Sequence, residues 1–326
     1  MTAKSVMNIR AFVPDDAEAI AALLQANVDD PAIRRQYARL HGPTPLRGQN
    51  WGRTYVAELR GRTVGVGSVA SSERHPRFIQ ADILVGNEFR RQRIGSCLLD
   101  ALRTAASDGR PLYGRIVPAS PGSREFADYH GFKHFMRSRL WEIDPLASHV
   151  RTWCADVGRK DYSFRIEVAD VSSELIDAIG AWYRWTHELW NPQGPEEHAE
   201  ALAQWSSVIV PGSGLLARDG DVAIGVGALF KMGSVPNGSG DRLLISPLGV
   251  TAPNTAGARA VTEQLSARCL QKAAAMNRPV LIEADDVHAD LVDIVTRLDP
   301  HLAYEAVFVL ENGSGRQVVS DGYVSG

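Results

Sequence analysis

The chain has little of what many functional classes depend on. Its 326 residues contain no run of about 18 apolar residues, so no membrane-spanning helix is expected. Its charges nearly balance: 35 Lys and Arg stand against 38 Asp and Glu, a net charge of −3. Broad attraction to nucleic acid or to an anionic membrane needs a basic excess, so neither partner is expected. Cys97, Cys154 and Cys269 are widely spaced and make no C-x-x-C pair. They imply neither a disulfide framework nor a zinc site, and no metal is expected. The opening MTAKSVMNIRAFV lacks the apolar core and small-residue cleavage site of a signal peptide, so a cytoplasmic location is expected. No Walker A sequence or nucleophile elbow occurs, and His187-Glu188 lacks the second histidine of a zinc-protease helix. Gly65-x-Gly67-x-x-Ala70 has the letters of a dinucleotide fingerprint but reads as a strand, where glycines mark close backbone approach.

What the chain does have is repetition. Segments 9–20, 60–70 and 109–117 resemble 164–176, 218–230 and 277–285 in the same order, with offsets growing from 155 to 168. A single core rarely grows beyond about 250–300 residues, so two tandem copies are expected. We read them as 1–148 and 163–326, joined by a linker over 149–162. Each copy reads strand, helix, helix, hairpin, long strand, helix, strand, helix, strand. In the first, the strands fall near 8–13, 54–60, 63–71, 78–86, 112–117 and 134–143. Gly61 and Gly220 supply the hairpin turns. Helices that alternate with strands after a hairpin imply an α/β class, more closely an α+β mixed sheet flanked by helices.

The richest stretch is ILVGNEFRRQRIGSCLLDALRTAA, residues 83–106. An apolar strand crosses a polar turn into a helix whose apolar face is Ile94, Cys97, Leu98, Ala101, Leu102 and Ala105. Helix N-termini leave several N–H groups unpaired and carry about half a positive charge. Arg90, Arg91 and Arg93 oppose that dipole, by about 0.3–1 kcal/mol each. An ordinary solvated start would favour Asp, Ser or Glu. The alternatives are a basic, solvated helix start and an anion site, and the unfavourable placement favours the anion. Asp82 also breaks a rule, because a central strand should be apolar on both faces. It is a candidate base for an amine, or a carboxylate satisfied by a neighbouring arginine or by backbone. Tyr129, His130, His134 and the stretch His187–Trp190 are weaker candidates. Trp182, Trp185 and Trp190 read as core or interface before substrate wall.

These residues resemble the GNAT superfamily of acyl-CoA-dependent N-acyltransferases. The family pattern Val-x-Pro-x-x-(Arg/Gln)-x-x-Gly-x-(Gly/Ala) is matched at Val85, Arg90, Ile94 and Gly95, with Asn87 at the proline and Arg93 at the first glycine. A later helix ending in Gly-Phe is similar to SPGSREFADYHGF, residues 120–132. The whole chain therefore resembles a tandem GNAT protein with two splayed, mostly antiparallel mixed sheets. The resemblance implies acetyl-CoA or another acyl-CoA as donor, or the phosphopantetheine of an acyl carrier protein as an alternative. It also implies a small-molecule amine acceptor that attacks directly. The donor pyrophosphate would sit on Arg91, Gln92, Arg93, Ile94, Gly95 and Ser96, with Arg90 and Ser120 beside it and the pantetheine along Leu84 and Val85. The N–H near Val85 would stabilise the oxyanion. Where the family often has a general-acid tyrosine, this chain has Ala127. Tyr129 is the remaining tyrosine of that helix, and water can serve a thiol of pKa about 8.5. A non-catalytic acyl-CoA-binding tandem domain is the third reading.

Aligning Pro253 with the family proline puts Ala256 at the basic position, Arg259 at the first glycine and Val261 at the last. Val261 would crowd a phosphate, so the second copy is expected to have lost the donor and to shape the acceptor cleft. Gly95→Val is expected to abolish donor binding with the fold largely intact. Retained donor affinity, measured by calorimetry, would contradict the phosphate reading.

Overall fold

Hairpin chemistry organises both halves. Gly61 (φ 73°) and Gly220 (φ 58°) take the left-handed conformation that a tight turn requires. The computed structural model describes residues 7–28, 40, 51–71, 76–106, 109–116, 122–188, 192, 206–231 and 242–312. The first half runs β1 (Met7–Ala11), α1 (Ala17–Asn27), β2 (Trp51–Leu59), β3 (Arg62–Ser71), β4 (Ile79–Val85), α2 (Ile94–Ala105), β5 (Leu112–Ile116), α3 (Ser123–Tyr129) and β6 (Phe132–Ile143). The second begins with α4 (Ser148–Arg159), where a linker is expected. It continues β7 (Arg165–Ala169), α5 (Ser173–Glu188), β8 (Gly214–Asp219), β9 (Val222–Lys231), β10 (Leu243–Val250), α6 (Ala258–Ala275), β11 (Val280–Asp285), α7 (Ala289–Thr296) and β12 (His301–Glu311). The second helix expected before each hairpin falls outside the described residues.

The mixed sheet flanked by helices is as expected, but the two halves share it. Among the described residues twelve strands form one sheet in the order β1-β2-β3-β4-β5-β12-β6-β11-β10-β9-β8-β7. The last strand of each half has crossed over. β12 pairs antiparallel with β5 and with β6, and β6 pairs antiparallel with β11. Residue 148 therefore divides the chain but not the sheet. β6 is twelve residues long and β12 eleven, and their ladder runs from His301–Glu142 to Glu311–Phe132. Each would be an unpaired edge without the other half.

Helices cover both faces. α2 lays Ile94, Leu98, Leu99, Leu102 and Ala105 on β2–β4, while Cys97 stays half-buried. Each of the large side chains contributes roughly 1.5–3 kcal/mol by leaving water. The glycines of the false dinucleotide motif are where this helix approaches. A Cβ on Gly65 would lie 3.2 Å from Ile94 and Leu98, and one on Gly67 3.2 Å from Leu102. α6 packs the same way over β9, with Val261, Leu265 and Cys269 buried against Gly225 and Gly227. On the opposite face α1 packs on Val56, Val66 and Leu84, and α5 on Leu216, Val226 and Phe230.

Because the closing strands are exchanged, residues 1–148 alone would expose the edge of β5 and all of β6. That fragment is expected to self-associate or precipitate. Gel filtration showing a monomer with a cooperative thermal transition would contradict the exchange.

Candidate active site

The two halves of the sheet each open at one seam. Among the described residues β4 and β5 pair in parallel only at Ile79–Leu112 and Gln80–Tyr113, and beyond them no ladder joins the strands. On its other side β4 remains paired with β3 through Val85. The Gly86 N–H donates to the Val64 carbonyl at 3.0 Å, and antiparallel alternation then commits Leu84 and Asp82 to β3. The N–H and C=O groups of Ile83 and Val85 consequently point into the gap. Of the two residues proposed for the pantetheine, Val85 thus presents its backbone there, while Leu84 does not and is buried against α1.

The N-terminus of α2 stands beside this gap. Its first i→i−4 bond runs from the Cys97 N–H to the Arg93 carbonyl, so the N–H groups of Ile94, Gly95 and Ser96 precede the helical ladder. Arg93 caps nothing and, like Arg91, has φ 64°. A left-handed non-glycine residue costs roughly 1–2 kcal/mol. This explains the family's glycine at position 93 and leaves the strain at the candidate anion site. The Arg91, Gln92 and Arg93 side chains are exposed. Arg90 is half-buried, its Nε 3.5 Å from the Val85 carbonyl. Gly95 faces Phe126, whose ring carbon would lie 3.1 Å from an added Cβ. Packing against α3, as well as close ligand approach, therefore asks for glycine. The expectation that Gly95→Val leaves the fold intact needs correction: overpacking of this kind costs roughly 1–3 kcal/mol.

Several candidates are placed apart. Tyr129 is 83% exposed and touches only the edge of His130 among the described rings. Ala127, at the family's tyrosine position, is buried in the core under α2. His130 is the residue that reaches the cradle, its Nε2 3.0 Å from Ser96 Oγ. Burial, and then the charge of Arg103, hold its pKa below the usual histidine value. Ser120 and Trp190 lie outside the described residues. His134 is exposed on β6, and His187 stacks on Tyr183 at 3.6 Å.

Asp82 is only 3% exposed, on the face opposite α2. Gln80 Nε2 donates to its Oδ2 at 3.0 Å, and the Tyr113 hydroxyl donates to Gln80 Oε1 at 3.0 Å. Across the ladder the Ser68 hydroxyl is buried without a partner among the described residues. A polar thread thus crosses the floor of the gap.

The second seam is built alike and filled. β10 and β11 pair at Leu243–Val280, Leu244–Leu281 and Ile245–Ile282, then separate. Val250 occupies the place of Val85, opposite Gly225 as Val85 is opposite Gly65. Its carbonyl accepts the Trp185 indole N–H at 2.7 Å. Trp182 lies against Gly249, and both tryptophans contact His288, whose pKa burial pushes down to about 4. Val261 contacts Gly225, just as Ile94 contacts Gly65, so it takes Ile94's place and does not crowd a phosphate. Relative to that packing, α6 starts about one turn earlier than α2. Arg259 on that extra turn is held by Asp293, Asp290 and Glu263. The thiols of Cys154 and Cys269 are pushed up by burial, to about 11 and about 12, which suits core residues.

One cluster was missed from sequence. Glu283 and Asp285 alternate onto the α5 face of β11, beside the second seam, where Ser138 Oγ donates to Glu283 Oε1 at 3.1 Å. The signal was the one that marked Asp82: acids inside a buried strand, VLIEAD.

Residues 50–134 match the family model "Acetyltransferase (GNAT) domain". A search of curated protein sequences returns no match. Among solved structures, the chain is similar to a GCN5-related N-acetyltransferase from Sphaerobacter thermophilus, with TM-score 0.61 and 15% identity over 94% of this chain and 95% of that one. It is also similar to a tandem GNAT protein from the clavulanic acid biosynthesis pathway, with TM-score 0.56 and 16% identity over 94% and 98%. A glucosamine N-acetyltransferase region of a fungal multi-domain GH3 β-N-acetylglucosaminidase gives TM-score 0.63 and 13% identity over 95% of this chain and 38% of that one. At these identities the likeness is one of fold.

The pair on β11 makes stability depend on pH. Burial first, then the charge of Glu283, pushes Asp285 up to about 7, and burial also pushes Glu283 up. The folded state therefore keeps protons that the unfolded chain releases near the ordinary carboxylate value of about 4. This site favours folding most below that value and loses the advantage as pH rises through about 7. Asp285→Asn is expected to raise Tm at pH 8 relative to wild type and to have little effect at pH 4. Equal shifts at both pH values in scanning calorimetry would contradict the burial of an ionisable group here.

Proposed function

We propose that this chain, whose fold is similar to that of a tandem GNAT protein and whose residues 50–134 match an acetyltransferase (GNAT) domain, moves an acyl group, an acetyl group first among them, from a coenzyme A thioester to a primary amine of a small molecule. One observation carries this reading. In the first half an open seam, with the Val85 backbone turned into it, lies beside an uncapped helix N-terminus.

The residues present fit such a donor. Ile94, Gly95 and Ser96 offer N–H groups to a pyrophosphate, and Arg90, Arg91 and Arg93 supply charge around it. Strand β4 offers Ile83 and Val85 to the amides of a pantetheine arm. When bound, the donor supplies an activated acyl carbon whose thiolate is a good leaving group near neutral pH. Val85 N–H is placed to bond the carbonyl oxygen as it gains charge. His130 orients Ser96 at the cradle and, being neutral at pH 7, adds no positive charge of its own. An amine of pKa about 10.4 arrives mostly protonated, so a proton must leave before attack. Asp82 is too enclosed to take that proton directly. In this reading it holds Gln80, and through it Tyr113, at the acceptor side. The second half serves no donor, because Trp185 occupies its seam, and it walls the acceptor cleft instead. Transfer from a carrier-protein phosphopantetheine would use the same seam with less need for the nucleotide.

Thermal shift with acetyl-CoA, coenzyme A and pantetheine tests the donor. Stabilisation of about 2.7 kcal/mol is expected at a hundredfold excess over Kd, for the full nucleotides only. A response to pantetheine alone would move the donor to a carrier protein, and no response to any would remove the reading. With an amine panel, Asp82→Asn is expected to lower kcat modestly. A loss of roughly 10²–10⁴-fold with the basic limb of the pH profile gone would instead make Asp82 the base.

A further inference from the structure

The carboxylates of β11 take no part in the chemistry above, and their surroundings are unusual for a structural pair. Glu283 is exposed to solvent and accepts a hydrogen bond from the Ser138 hydroxyl at 3.1 Å. Asp285 is only 8% exposed, and its Oδ1 has no hydrogen-bond partner among the described residues. A buried carboxylate oxygen without a donor is costly, and natural proteins rarely leave one. No lysine or arginine forms an ion pair with Asp285 among the described residues. The one cation acting on the pair is Arg115, which faces Glu283 across the sheet, while Asp286 adds negative charge on the other side. His288, next to the pair in the chain, is buried with Trp182 and Trp185 and stays neutral.

We propose that Glu283, Asp285 and Ser138 form a binding site for a primary ammonium group at the second seam. The two acids are alternate residues of one strand, so their Cα atoms lie about 6.8 Å apart. Ser138 is the register partner of Asp285 and bonds Glu283. The result is three acceptors around one point: a Glu283 oxygen, the Ser138 hydroxyl and Asp285 Oδ1. A primary ammonium has three N–H donors and no acceptor, which is the complementary set. Two carboxylates and one hydroxyl are a thin ligand set for a metal ion, and no group of three metal-binding side chains occurs among the described residues. Glu283 is itself open to solvent, which gives a way in, and the aromatic rings of α5 lie on the same side.

The ammonium could belong to either of two sources. The first seam is between three and four strand spacings away, about 17 Å, so an acceptor touching both must be a long polyamine. A short amine held here is a separate ligand. Only the first case rests on the acyl-transfer reading.

The test is equilibrium binding to the full chain without donor, so that it stands or falls apart from acyl transfer. Calorimetry at pH 7.5 with spermine, with butylamine and with butanol as the uncharged control is expected to show saturable binding of the amines alone. Glu283→Gln and Asp285→Asn, both isosteric, should each weaken that binding at least tenfold, and Ser138→Ala less. Near-ultraviolet circular dichroism checks that the variants keep the native packing. Absence of saturable amine binding by wild type at millimolar concentration overturns the proposal, as does unchanged affinity in both acid variants. If KM for acetylating spermine rises in the variants while KM for butylamine does not, the ammonium is the far end of the acceptor. A separate ligand instead makes butylamine and spermine respond alike.

Discussion

The pairing of β12 with β5 on one side and β6 on the other holds the molecule in its working form. Neither half has a complete sheet of its own. The first ends at β5 until the last strand of the chain arrives, and the second ends at β11 until β6 arrives. Strand edges must be paired or covered, and here each copy covers the other. The two seams therefore keep a fixed distance and share one face.

Within the sheet, the same backbone device serves opposite ends. In both halves a central strand is bonded on one side and open on the other, and a valine turns its peptide groups into the opening. At Val85 the opening stays free and a strained, arginine-rich turn leads into α2. At Val250 the Trp185 indole donates to the carbonyl, and α6 starts about a turn earlier. A helix that starts a turn early displaces its free N–H groups by about 4–5 Å, enough to misalign them with the seam. The second half thus differs from the first by substitution and by register together. Its freed surface carries Glu283 and Asp285, on the face that the first copy uses for Gln80, Asp82 and Tyr113.

The local content of the fold was legible in the residues. Periodicity located the strands of the first half to within a few residues and the apolar face of α2, because burial against one surface imposes a fixed repeat. Glycine positions in the hairpins were legible for the same local reason, the need for positive φ. The candidate anion site at 90–96 stood out because arginines oppose a helix dipole, a conflict visible without coordinates. Tyr129 was misjudged, since it stands two residues beyond Ala127 and a shift of two residues on a helix turns a side chain by about 200°, here to solvent. The alignment of Arg259 and Val261 failed because a helix extension leaves the apolar stripe unchanged while moving the start.

The sequence by itself determined the class of fold, the tandem repeat, the strand that feeds the cradle and the residues of its turn, all set by neighbours within a turn or a strand. Only the tertiary structure decided which strand lies beside which. Exchange of β6 and β12 uses the same hydrogen bonds that closure within each half would use, and the residue pattern of a strand is blind to its partner. The same holds for Ser138 between Glu283 and Asp285, and for Trp185 in the second seam. Those contacts join residues 65 to 147 positions apart, across which no local propensity acts.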